Sequence, residues 1–127
     1  MFRLTTPDSQ ARQHTSASWT QITSSAPPPR ESHASVVWEN YIITFGGKLG
    51  FQYNDVQFFD LIDQTWFEPH SNTHPTLPFR YNHSICVDEK DNVIIFGGIS
   101  QDVSVSTLNC FRIQKSESKQ YKVSLLT

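Results

Sequence analysis

A chain of 127 residues has room for one ordinary domain, and its 37% apolar and 17% charged residues match neither a disordered chain nor a coiled coil. The formal net charge of −2, with no cluster of Lys or Arg, argues against nucleic acid, whose phosphates need a basic surface. No segment approaches the roughly 20 apolar residues of a membrane-spanning helix, and residues 1–18 lack the apolar core of a secretory signal, so a cytoplasmic protein with no membrane partner is expected.

Residues 1–17 are rich in Ser, Thr and Gln without apolar periodicity and read as a flexible N-terminal tail. Residues 18–22, around Trp19, alternate large apolar with polar residues as a short strand does. The chain then breaks at Pro27, Pro28 and Pro29, which exclude helix and central strand. A first unit opens at Arg30. Strands are predicted at 32–38 and 41–45, joined by a tight turn at Glu39-Asn40, and the second stops at Gly46-Gly47. A loop over 48–54 leads to a third strand at 55–61, a turn at Ile62-Asp63-Gln64 and a short fourth strand at 65–68 holding Trp66. The second strand is apolar at successive positions, as strands buried on both faces are.

Residues 69–78, with Pro75 and Pro78, form a second breaker, and a second unit opens at Arg80. Its strands fall at 81–87, 93–96 and 107–113, with Gly97-Gly98 closing the second and a loop over 99–106. Residues 114–127 read as a polar tail with a weak strand at 121–126. No stretch has sustained apolar spacing at three and four residues, so almost no helix is expected. Cys86 and Cys110 sit among apolar neighbours and are expected to be reduced core thiols rather than a disulfide framework.

The two units repeat. Arg30 and Arg80 lie 50 residues apart, as do His33 and His83; the diglycines lie 51 apart, and Trp19 and Trp66 47 apart. The first unit carries Pro29, Arg30, His33, Phe45-Gly46-Gly47, Asn54-Asp55-Val56, Phe59-Asp60-Leu61 and Trp66. The second carries Arg80, His83, Phe96-Gly97-Gly98, Leu108, Phe111 and Ile113, and lacks the Asn-Asp pair and the final Trp. This order resembles the kelch motif of β-propellers, whose period is about 50 residues. The resemblance covers 18–113 and implies an all-β fold: antiparallel four-stranded blades, one over about 30–68 and one over about 80–113. The Trp19 strand would come from a neighbouring blade position. Within the motif, Gly46, Gly47, Gly97, Gly98, Trp19, Trp66, His33 and His83 are the structural positions.

Propellers have about four to eight blades, so two blades leave broad faces unburied. A fragment of a larger propeller, a truncated product without function of its own, or a self-associating subunit is therefore expected. The second blade's missing fourth strand has two candidate donors, the Trp19 strand and the strand at 121–126, with the local C-terminal one favoured. Kelch propellers commonly bind proteins through loops at the channel mouth, which directs attention to Arg30, Glu31, Arg80, Tyr81 and Asn82. The competing reading makes the arginines structural, since both belong to the motif. A protein partner of unknown identity is expected, with no catalytic residues, cofactor or metal. His70 and His74, with His83 and Cys86, are nominal zinc-ligand types, but the first two lie in a proline-containing segment. The acids Asp55, Asp60, Asp63 and Glu68 read as turns and strand ends rather than a catalytic pair, and Asn82-His83-Ser84 is a formal glycosylation sequon. The alternative is part of a kelch-type enzyme such as a metal-dependent oxidase, a sugar epimerase or a specifier-like protein.

Overall fold

The computed structural model describes residues 2–5, 16–23, 26–71, 77–115 and 121–125. Among them are strands and turns and no helix. Strand β1 (Phe2–Thr5) pairs antiparallel with β2 (Ser18–Gln21) in a two-stranded sheet. One expectation is corrected here: residues 2–5 belong to a strand, not a flexible tail. The Trp19 strand pairs with them and joins neither of the two blades that follow. Phe-Arg-Leu-Thr has the two-residue alternation of a half-exposed strand, but four residues are too few for that signal to stand out.

The first blade is a meander of β3 (Ala34–Trp38), β4 (Tyr41–Phe45), β7 (Val56–Asp60) and β8 (Thr65–Phe67). The β3–β4 turn is only Glu39-Asn40, and Glu39 takes φ 52°, the positive value short hairpins demand. The β7–β8 turn is built by Asp60. Its Oδ1 accepts from the amides of Ile62 at 2.8 Å and Asp63 at 3.0 Å, while its carbonyl accepts from Gln64. Between β4 and β7, β5 (Lys48–Leu49) and β6 (Phe51–Gln52) form a small hairpin around Gly50.

The chain continues through β9 (His70–Ser71) into a second blade, with strands β10 (Ser84–Val87), β11 (Asn92–Phe96), β14 (Leu108–Lys115) and β15 (Tyr121–Leu125). A second small hairpin, β12 (Ile99–Ser100) with β13 (Val103–Ser104), interrupts it at the place β5–β6 occupies in the first. The fourth strand is the local C-terminal one, antiparallel to β14, and β9 adds a parallel fifth at the outer edge.

Register assigns each side chain to a face, because strand residues alternate. In the first blade the row Val36–Ile43–Phe58–Phe67 runs across all four strands on one face. In the second blade Ile85–Ile95 and Val87–Val93–Phe111 share a face. These rows meet in one core: Ile43, Phe45, Phe58, Val93, Ile95 and Phe111 are all fully buried, and Trp38, Leu77 and Ile113 complete it. The core therefore lies between the blades. Each buried Phe or Ile there removes apolar surface worth about 1.5–3 kcal/mol.

The two remaining faces differ in chemistry from the core. On the first blade they carry Ser35–Thr44–Gln57 and Val37–Ile42–Phe59–Trp66. On the second they carry Cys86–Ile94–Cys110 and Ser84–Phe96–Leu108. Cys86 is exposed and Cys110 half-buried, so the expectation of two core thiols is corrected. Both sit on the apolar strands predicted for them, but on the outward side, which neighbour hydrophobicity alone does not reveal. Burial is the main influence raising the Cys110 thiol above its usual pKa.

Candidate functional site

The residues leading into β3 and β10 form a repeated unit at one end of the blades. Arg30 is 5% exposed and grips Asp55 with two bonds, at 2.6 and 2.9 Å. It also donates to the Gly46 carbonyl at 3.0 Å and stacks 4.1 Å from the centre of the Tyr53 ring. Burial alone would raise the Asp55 carboxyl, but hydrogen bonds from Arg30 and Gln57 and the arginine's charge outweigh it. The group is held below the ordinary carboxylate range.

Arg80 is 1% exposed and occupies the equivalent place with a different partner set. It donates to the carbonyls of Gly97 at 3.2 Å and Thr107 at 3.3 Å, to Thr107 Oγ1, and to Asn109 Oδ1. Strand register makes Thr107 the counterpart of Asp55, since Phe45 pairs with Val56 as Phe96 pairs with Leu108. The second blade thus holds a buried cation with neutral acceptors. Both guanidinium groups tie the diglycine end of the second strand to the start of the third within their own blade. Neither is presented at the surface.

The backbone beside each arginine carries the small hairpins. Glu31 makes an antiparallel bridge to Lys48, with N–H···O distances of 2.8 and 2.9 Å, and Tyr81 does the same with Ile99 at 3.0 and 2.9 Å. Ser32 and Asn82 follow with φ 58° and 56°, and the Asn82 amide donates to the Ser32 carbonyl at 2.9 Å, joining the two blades. Side chains tie the hairpins together as well. Gln52 Oε1 accepts from the Gln101 amide at 2.9 Å; the Lys48 ammonium lies 4.2 Å over the Tyr81 ring; and Tyr81 donates to Asp102 at 3.3 Å.

The result is a mouth of two joined hairpins, and its tips expose Leu49 (49%), Phe51 (66%) and Val103 (64%). Exposed Glu31, Asn82 and Asp102 surround them. Of the five mouth residues singled out in the sequence, the structure brings all to this end of the blades. Glu31 and Asn82 are at the surface, Tyr81 is buried to 7% with its hydroxyl bonded to Asp102, and the two arginines lie beneath. Leu49, Phe51 and Val103 were not singled out. The available signal was Leu-Gly-Phe, in which Gly50 at φ 75° turns a short hairpin between two large apolar residues.

His83 is buried, its ring 5.3 Å from that of Phe45, with neither ring nitrogen hydrogen-bonded. Burial is the main cause lowering its pKa, and the charge of Arg80 acts in the same direction. Its counterpart His33 is exposed on the outer side of the first blade, where a cavity of about 340 Å³ opens between Pro27, Pro28, His33, Thr44 and Trp66. The Ser35 and Thr44 hydroxyls on its floor bond each other at 2.7 Å. Among the described residues no carboxylate lines this cavity. Among the described residues no three His, Cys, Asp or Glu side chains converge as metal ligands would. His74 lies outside the described residues.

A family profile described as the KLHDC2/KLHL20/DRC7 Kelch-repeats domain matches residues 5–125. The chain is 30% identical over 102 residues to a Rho GTPase-activating protein, gacHH, of Dictyostelium discoideum, an overlap of 79% of this chain and 7% of that protein. It is 34% identical over 76 residues to dynein regulatory complex subunit 7 of Chlamydomonas reinhardtii, covering 57% of this chain and 6% of that one. To host cell factor 1 of Homo sapiens it is 30% identical over 91 residues, covering 64% and 4%. The chain thus spans less than a tenth of each of these relatives. The repeated arginine braces, the diglycine strand ends and two antiparallel blades packed face to face agree with the profile over nearly the whole length: the chain belongs to the kelch-repeat family.

Proposed function

We propose that this chain is a protein-interaction module without catalytic activity of its own, forming part of a larger propeller ring and binding its partner at the hairpin mouth. The carrying observation is the pair of hairpins joined through Gln52 and Gln101, which hold Leu49, Phe51 and Val103 in solvent. Exposed apolar groups on braced backbone suit recognition, because little conformational entropy is lost on docking. The relatives' names, a GTPase-activating protein and a subunit of a dynein regulatory complex, belong to regulatory proteins and support the same reading. Leu49→Asp and Phe51→Asp test it in quantitative affinity capture. Proteins retained by the unaltered chain and lost from both variants, with unchanged thermal melts, are the expected result. Capture unaffected by either variant would refute the mouth as the binding surface.

A further inference from the structure

The two arginine braces differ in one chemical respect. In the first blade the residue that closes the brace is Asp55. Its carbonyl accepts from the Gly46 amide at 3.3 Å, and its carboxylate holds Arg30 at 2.6 and 2.9 Å. In the second blade Thr107 stands in that place. Its carbonyl accepts from the Gly97 amide at 3.2 Å, and its hydroxyl meets Arg80 at 3.3 Å. Thr107 has the position of Asp55 without the charge.

Arg80 is correspondingly under-compensated. It is 1% exposed, and among the described residues no carboxylate bonds it. Its bonds to the Gly97 carbonyl, the Thr107 carbonyl and the Thr107 hydroxyl measure 3.2, 3.3 and 3.3 Å, at the long limit for hydrogen bonds. Its Nε is buried with no partner among the described residues. Burial lowers its pKa, as it does for a cation taken out of water. Thr107, in contrast, is exposed. It ends the irregular stretch between β13 and β14, with exposed Ser104 and Ser106 close by in sequence. A hydroxyl open to a modifying enzyme therefore lies against a buried cation.

We propose that Thr107 is a phosphorylation site, and that its phosphate takes in the second brace the place the Asp55 carboxylate has in the first. In the transfer, Thr107 Oγ1 bonds to the terminal phosphorus of a nucleoside triphosphate. The bond from that phosphorus to its bridging oxygen breaks, the nucleoside diphosphate leaves, and the hydroxyl proton passes to the base of the protein kinase. The product carries about −1.5 to −2 charges at pH 7 and three acceptor oxygens. Those oxygens extend from an atom already within 3.3 Å of the guanidinium, and charge-assisted bonds replace weak neutral ones. The effect reaches the small hairpin whose base Arg80 and Thr107 hold. There the Ile99 amide donates to the Tyr81 carbonyl at 2.9 Å and the Val105 amide to the Gly98 carbonyl at 3.0 Å. The modification stiffens this hairpin, which carries Val103.

The test has two arms. In the first, the full chain is incubated with ATP and an extract of the cells that make it, and the phosphate is located by fragmentation mass spectrometry. Phosphate on Thr107 is expected in the unaltered chain and in a Ser104→Ala, Ser106→Ala double variant. In the second arm, phosphothreonine is installed at position 107 of the full chain during synthesis. The expected results are a melting temperature about 4 °C higher and slower hydrogen exchange at the Ile99 and Val105 amides. The phosphorus resonance should titrate below the ordinary second pKa of about 6. Phosphoserine installed at position 104 should produce none of these. No phosphate on Thr107, or phosphate on Ser104 or Ser106 alone, overturns the proposal. So does a phosphothreonine chain that melts no higher than the unmodified one, or whose phosphate titrates at its ordinary value.

Discussion

Changing Asp55 to Asn removes the carboxylate that grips the Arg30 guanidinium while keeping an oxygen in place. The arginine is 5% exposed and the aspartate 23%, so the pair is neither a surface contact nor a fully buried one. Breaking a fully buried pair costs about 3–5 kcal/mol, and an exposed pair is worth about 0–1 kcal/mol. Two parallel bonds and a covered cation place this loss between those limits, at about 2 kcal/mol, or roughly 8 °C in melting temperature. The pH dependence has a defined sign. Asp55 is lowered in the folded state, so its contribution is complete above its unfolded pKa, about 3.9, and disappears as pH falls through the lower folded value. Urea titrations of both proteins from pH 7 downward check this. The stability gap should be constant to about pH 5 and close in acid. A gap below about 0.5 kcal/mol at pH 7, or one that persists undiminished in acid, would refute the assignment of Arg30 as a brace dependent on Asp55.

The reverse change, Thr107→Asp, gives Arg80 the carboxylate its counterpart has and should stabilise the chain by about 1 kcal/mol in the same titration. Gly46→Ala should cost more than Gly97→Ala. Both positions have φ near +70°, worth about 1 kcal/mol, but only at Gly46 does the added carbon strike the neighbouring blade; equal losses in thermal melts would contradict the packing described. Stability should also fall as pH drops below about 6.5, the unperturbed histidine value. The lowered His83 pKa means that the unfolded chain binds protons first, and His83→Gln should flatten that limb of the stability curve.

The order and type of most blade strands could be read from sequence, because alternation, diglycine stops and polar turns are local signals. Asp60 was placed correctly as a turn-former for the same reason. Which face a strand turns to its neighbour is not local. Cys86 and Ile85 have similar surroundings in sequence, yet one is exposed and the other packs on the core. The mouth was legible to the extent that Glu31, Tyr81 and Asn82 flank it. Its apolar tips were not, because two-residue strands fall below the length at which periodicity can be counted. The neutral partner set of Arg80 was equally hidden, since it depends on Thr107 and Asn109 being brought from 27 and 29 residues away.

The four strands of the first blade complete their ladders between Ala34 and Phe67, each bonding the preceding strand of the blade, with only the small β5–β6 hairpin intervening. Low contact order of this kind favours rapid folding. During synthesis, at about 5–20 residues per second, that blade has every ladder partner it needs within seconds of leaving the ribosome. The second blade then grows against a finished surface, with Ile85, Val93 and Phe111 meeting aromatic residues already in place. Vectorial assembly is therefore built into the chain, with the earlier blade serving as template for the later one.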